Sequence, residues 1–177
     1  MRIVILATLA GILASPVLGS PDLGNTIDLS RKDLGGEPAY DGREGGETID
    51  DAFVIDYLPF YDTGATCDNV NDYDEVCPYS SSTSPDVVYV YTSPEDLIIE
   101  IDLCDSMYDT KVYVYDFDAG YGFGNPLACN DDAGCGYSGY QSRLDAVPFD
   151  QGHTYHIVVD GYGSSCGEYL LNVFAGI

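Results

Sequence analysis

Two acidic loops and one isolated aspartate are where this sequence could do chemistry. The first loop is Asp68-Asn69-Val70-Asn71-Asp72-Tyr73-Asp74-Glu75, set between Cys67 and Cys77. The second is Asn130-Asp131-Asp132, set between Cys129 and Cys135, and Asp109 stands in a turn that could bring it nearby. Hard cations take six to eight oxygen ligands from carboxylates and carbonyls, and both loops are rich in that donor type. Crowding carboxylates into a short loop is unfavourable unless a cation or N–H donors compensate. The expectation is a calcium site on Asp109, Asn130, Asp131 and Asp132, with the 68–75 loop as a further source of ligands. The EF-hand pattern is not met, because its glycine and terminal glutamate are missing. The competing reading makes these residues turn formers whose side chains bond local backbone N–H groups.

Other reactive patterns lead away from catalysis. Gly163-Ser164-Ser165-Cys166-Gly167 fits G-x-S-x-G, but the nucleophile elbow needs a helix after it and a later histidine. A strand is expected next, and the only histidines, His153 and His156, come earlier. These two are three apart in an expected strand, which puts them on opposite faces, unable to share a metal. Zinc-protease, P-loop and dinucleotide motifs are absent. No carboxylate pair can be singled out among 30 Asp and Glu. The chain is read as a non-enzyme.

The elements that would position these residues are strands. Short apolar runs alternate with turn clusters from Asp50 onward: 52–60, 86–92, 96–104, 111–117, 142–149, 153–160 and 168–174. Most are rich in Val, Ile and Tyr, which suit a pleated sheet. In 96–104 the period is two, with Leu97, Ile99, Ile101 and Leu103 on one face and Glu100 and Asp102 on the other. Past the N-terminus no stretch of ten residues carries helical spacing. The pattern is that of an all-β sandwich or barrel; about eight strands would each bury one face and leave the acids outside. The strand tyrosines Tyr89, Tyr91, Tyr113, Tyr115, Tyr155 and Tyr169 should be half-buried with hydroxyls at the rim. Tyr61, Tyr73, Tyr79, Tyr121, Tyr137, Tyr140 and Tyr162 read as loop residues that could form a sugar- or protein-binding surface.

Charge excludes two partner classes. The 177 residues carry 30 acids against 6 bases, a net −24. Nucleic-acid phosphates would be repelled, and no polybasic surface exists for anionic lipid. Residues 1–19 have a secretory signal layout: Arg2, an apolar run from Ile3 to Ala14 too short to span a bilayer, Pro16, then small residues before a cut after Gly19. Residues 20–49 read as a flexible acidic leader, and 50–177 as the folded domain. Export would let six cysteines form three disulfides, one of 15 possible pairings. Spacing suggests Cys67–Cys77 and Cys129–Cys135, which leaves Cys104 with Cys166.

Taken together, GGETIDDAFVIDYLPFYDTGATC, NDYDEVCPYSSSTSPDVVYVY, IDLCDSMYDTKVYVYD, LACNDDAGC and HTYHIVVDGYGSSCGEYLLNV resemble the bacterial pre-peptidase C-terminal domain in its cysteine-containing form. The similarity covers roughly residues 46–177, and its most specific parts are Tyr108-Asp109-Thr110, Asn130-Asp131-Asp132 and the closing VDGYG…CGEYLL stretch. The resemblance implies a jelly-roll-like β-sandwich of the kind found beside secreted proteases, some members of which bind calcium or an insoluble polymer such as collagen. Here it reads as a stand-alone secreted copy. The expected role is extracellular binding or attachment to a polysaccharide, matrix protein or cell surface, with calcium as the one expected cofactor. The alternatives are a self-associating subunit of a surface layer or fibre, and an accessory domain of a secreted peptidase system.

Overall fold

The computed structural model describes residues 45–176. The signal peptide expected at 1–19, and the leader as far as residue 44, lie outside the described residues. Nine strands follow a short 3-10 turn at Ile49–Asp51: β1 (Phe53–Val54), β2 (Phe60–Ala65), β3 (Val87–Thr92), β4 (Leu97–Asp102), β5 (Thr110–Asp116), β6 (Ala128–Asn130), β7 (Arg143–Phe149), β8 (Thr154–Gly161) and β9 (Glu168–Ala175). They form two sheets, ordered β1-β3-β8-β5-β6 and β2-β9-β4-β7. All pairings are antiparallel except β1 on β3. The fold is the expected β-sandwich, with nine strands rather than about eight.

Alternation along the strands builds the interior. Val87, Tyr89 and Tyr91 of β3, Val112 and Val114 of β5, and Tyr155, Ile157 and Val159 of β8 point inward from one sheet. They meet Ile99 and Ile101 of β4, Leu144, Val147 and Phe149 of β7, and Tyr169, Leu171 and Val173 of β9. Phe149 lies flat against Tyr155, with ring centroids 3.6 Å apart. Tyr89 donates from its hydroxyl to Asp62 Oδ2 at 2.8 Å and shares a 2.7 Å bond with the Tyr169 hydroxyl, tying the sheets together.

A second apolar layer lies outside the five-stranded sheet. Val88, Tyr113, Tyr115 and Val158 are buried there beneath Ile49, Ala52, Tyr73 and Cys129. The segment between β2 and β3 drapes over this face, so β5 is buried along its whole length. Two expectations fail, because both the interior and this outer layer take in polar side chains. The strand tyrosines are almost wholly buried, and the hydroxyls of Tyr89, Tyr113, Tyr115, Tyr155 and Tyr169 are hydrogen-bonded to protein groups. Nor do the acids all stay outside: Glu75, Asp86, Asp116, Asp131 and Asp160 are buried, together with Lys111.

Three local differences have local causes. The 52–60 run is not one strand; it leaves β1 through exposed Asp56 and Tyr57, and Pro59, which lacks an N–H, precedes β2 in the other sheet. Residues 45–49 pack on the domain, with Gly46 bridging Val88, where the leader was expected to continue to residue 49. The short β6 has too few residues to show a period and exists through its pairing on β5.

All six cysteines are bonded, but none in the expected pairs: the disulfides are Cys67–Cys166, Cys77–Cys129 and Cys104–Cys135. Sheet neighbours decide this. Ala65 pairs with Glu168 and Thr66 N–H donates to Gly167 O, so Cys67 meets Cys166 across 99 residues of sequence. Cys77 belongs to the draped segment and reaches Cys129 on the edge strand β6. Leu103 N–H donates to Ser142 O, which draws the end of β4 onto the loop that carries Cys135.

Candidate functional site

One end of the sandwich gathers the loops before β5, between β6 and β7, and between β8 and β9. Asp109 immediately precedes β5, and Asp131 and Asp132 immediately follow β6; the antiparallel pairing of Val112 with Asn130 sets the two segments side by side. One carboxylate oxygen from each of Asp109, Asp131 and Asp132 lies within 4.8 Å of the others. Asp131 is only 1 % exposed, and both of its carboxylate oxygens are buried without a hydrogen-bond partner. Oδ1 of Asp109 is in the same condition. Burial, with the charges of Asp132 and Asp109, pushes the Asp131 carboxyl up to about 6, against the opposing pull of Lys111. Burial and Asp132 also raise Asp109.

The backbone around these carboxylates is held by neutral groups. Ser142 Oγ can donate to the main-chain oxygen of Asp131, 2.8 Å away, or to that of Thr110, and its N–H donates to Thr110 Oγ1 at 2.8 Å. Buried Gln141 donates from Nε2 to Ser106 O at 3.2 Å, and Ala133 N–H donates to Gln141 O. Gly136, at φ +65°, sits against Cys104 O and the Gln141 side chain, where a Cβ has no room. Three of the four expected ligands, Asp109, Asp131 and Asp132, thus stand together. Asn130 accepts the Arg143 N–H on its Oδ1 at 3.1 Å and stitches β6 to β7.

The 68–75 loop does not gather its carboxylates. Asp74 accepts the Ser82 N–H, and buried Glu75 accepts from the Tyr115 hydroxyl at 2.7 Å and from Gly124 N–H at 2.8 Å. These partners lie 8, 40 and 49 residues away, so neither a shared ion site nor the local turn bonding of the competing reading describes Asp74 and Glu75. Beneath the loop, Asp86 accepts the N–H groups of Asp72 and Tyr73 on Oδ2, while its Oδ1 is buried and unpartnered. Burial pushes Asp86 up to about 8 and Asp160 up to about 7. The buried Lys111 ammonium donates to the main-chain oxygens of Glu75 and Ser80.

A second group went unseen in the sequence. Asp116 at the end of β5, Asp118 in the turn after it, and His153 just before β8 also converge within 4.8 Å. Its only linear signal was the Asp-x-Asp spacing at 116–118; the histidine arrives through the β5–β8 pairing, which sets Asp116 opposite Tyr155. These groups already satisfy one another and the backbone. His153 Nδ1 lies 3.0 Å from Asp116 Oδ2, Ala119 N–H donates to Asp116 Oδ1, and Thr154 N–H donates to Asp118 Oδ2. Hydrogen bonding to Asp116 raises His153. His156 is separate, lowered by burial and packed on the Phe117 ring.

The tyrosines sort differently from their sequence grouping. Tyr61 lies in β2 against Phe174, and Tyr73 is half-buried, its hydroxyl accepting the Ile49 N–H. Tyr79, Tyr121, Tyr137, Tyr140 and Tyr162 are exposed. Three of these share the loop end with the aspartates. Tyr162 N–H donates to Asp109 O, and Tyr137, 72 % exposed, donates from its hydroxyl to Met107 O at 3.1 Å. Tyr140 precedes Gln141 on the same loop. Exposed Met107 in turn edges an open depression of about 360 Å³ over β2 and β9, floored by Thr63, Gly64 and Leu170 and flanked by Asp105 and Glu168. Ser165 sits in a turn that leads into β9, a strand, so the helix a nucleophile elbow needs does not follow it.

Comparison with known proteins yields no matching family model and no matching curated protein. Among solved structures, the chain is similar to the pre-peptidase C-terminal domain of a collagenase from Bacillus anthracis. The identity is 15 %, the TM-score 0.46, and the match covers 68 % of this chain and 92 % of that one.

Proposed function

We propose that this chain is a secreted, non-catalytic β-sandwich module that attaches to an extracellular polymer. The observation that carries the reading is the loop end itself: Tyr137, Tyr140 and Tyr162 stand exposed there, and Tyr137 is bonded to Met107, which edges an open depression. Tyrosine gives a large contact area at low entropic cost, and its ring can stack on a sugar face or on a peptide side chain. Three disulfides pin the surrounding loops, so little ordering remains to be done on binding. They also suit an oxidising compartment, which supports export. The acid excess keeps anionic polymers away and favours neutral or cationic ones.

The test is an array of neutral polysaccharides and matrix proteins, probed with the purified chain and with the Tyr137→Ala/Tyr140→Ala double variant. The wild type is expected to bind at least one polymer, and the double variant to bind it at least tenfold more weakly with little change in melting temperature. Wild-type protein that binds nothing on the array, or a double variant that binds as well as wild type, defeats the reading.

A further inference from the structure

We propose that Asp109, Asp131 and Asp132 hold a calcium ion that clamps the start of β5 to the loop after β6. Crowded acids alone would be weak grounds, since turns are rich in aspartate. What singles out this cluster is Asp131, 1 % exposed, with both carboxylate oxygens buried and unpartnered. Buried polar atoms without partners are rare in folded proteins, and a charged one is costly. Here the orphaned oxygens lie within reach of two more carboxylates, so each neighbour worsens the problem unless a cation sits among them. Lys111 does not serve, because its ammonium is directed to the main-chain oxygens of Glu75 and Ser80.

The donor set chooses the metal. All three side chains offer oxygen only, with no sulfur or imidazole, which favours a hard cation over zinc or copper. Asp132 is exposed and leaves a side open for water. Calcium tolerates such irregular mixtures of carboxylates and water, whereas magnesium demands a tight octahedron. The Asp116–Asp118–His153 group makes a contrast: its carboxylates are bonded to His153 and to backbone N–H groups, and it holds no buried, unpartnered oxygen that asks for an ion. The clamp would hold the loops that carry Tyr137, Tyr140 and Tyr162, but it stands on the aspartates alone and is measured without any polymer.

Thermal unfolding of the purified, disulfide-intact chain tests it, in chelator, in 10 mM calcium and in 10 mM magnesium. Extracellular modules bind calcium with dissociation constants of about 0.1–1 mM. At the tighter end, 10 mM calcium lowers the unfolding constant roughly 100-fold. For a domain of this size that is a rise of roughly 10 °C in melting temperature. Asp131→Asn should abolish the rise. In chelator it should melt at or above the wild-type temperature, because it relieves repulsion among the carboxylates; this separates a lost ion from a failed fold. Asp56→Asn, at an exposed acid outside the cluster, should keep the full calcium response. No calcium response in the wild type overturns the proposal, as does an equal response to magnesium or an undiminished response in Asp131→Asn.

Discussion

Acidification should stabilise this domain over a range where many proteins are indifferent, and Asp86 is the main reason. The residue is fully buried at the start of β3, beneath the draped 68–75 loop, with Oδ2 accepting from Asp72 and Tyr73 N–H and Oδ1 unpartnered. Burial is the largest cause of its shift from 3.8 to about 8, and the charge of Asp160 adds to it. The folded state therefore keeps this proton to higher pH than the unfolded chain does. Wherever the folded state binds more protons, stability falls as pH rises, here between roughly pH 4 and pH 8. One proton corresponds to about 1.4 kcal/mol per pH unit, so going from pH 5 to pH 7 removes about 2.5 kcal/mol. For a domain of this size that lowers the melting temperature by roughly 10 °C. Asp160, raised to about 7, acts with the same sign. So does His153, whose raised value means its stabilisation is lost as pH rises, while His156, lowered by burial, opposes them on the acid side.

A variant isolates the aspartate from these companions. Asp86→Asn keeps an oxygen to accept the two N–H groups and removes the buried charge. Melting curves at pH 5, 6, 7 and 8, at constant ionic strength and with chelator present, should show a clearly shallower pH dependence in the variant. The two proteins should converge at pH 5, and the variant should be the more stable at pH 8. Parallel slopes would refute the assignment of this proton to Asp86.

Two further outcomes follow from the architecture. Replacing Cys67 and Cys166 by serine opens a closure spanning 99 residues and should cost about 4–5 kcal/mol in the loop-entropy model, read as a lower urea midpoint. Phe149→Ala removes a buried core ring stacked on Tyr155 and should cost about 3–5 kcal/mol by the same measurement. A loss below about 1 kcal/mol would mean that the two rings do not form the closed interface described.

Much of the fold was legible because period-two patterning is a local property. Leu97, Ile99, Ile101 and Leu103 announced their shared face, and the runs at 86–92, 111–117 and 153–160 became β3, β5 and β8 with ends shifted by about one residue. The acidic site was half legible. Asp109, Asp131 and Asp132 could be named from composition, but Asn130 was grouped with them by adjacency alone. Its side chain accepts the Arg143 N–H from the start of β7, a partner that only the tertiary fold supplies.

The sequence by itself determined the all-β class, the strand positions and the supply of cysteines and acids, since these rest on residue type and short-range period. Tertiary structure alone decided which cysteines bond, which tyrosines are exposed and which acids are buried. Those depend on sheet order and on a loop that covers an outer face, contacts between residues distant in sequence, 31 to 99 apart for the cysteines, that no local pattern encodes. The burial of Asp86 is the clearest case: the same side chain is a solvated turn former on an open loop and a costly, proton-retaining group once the 68–75 loop closes over it.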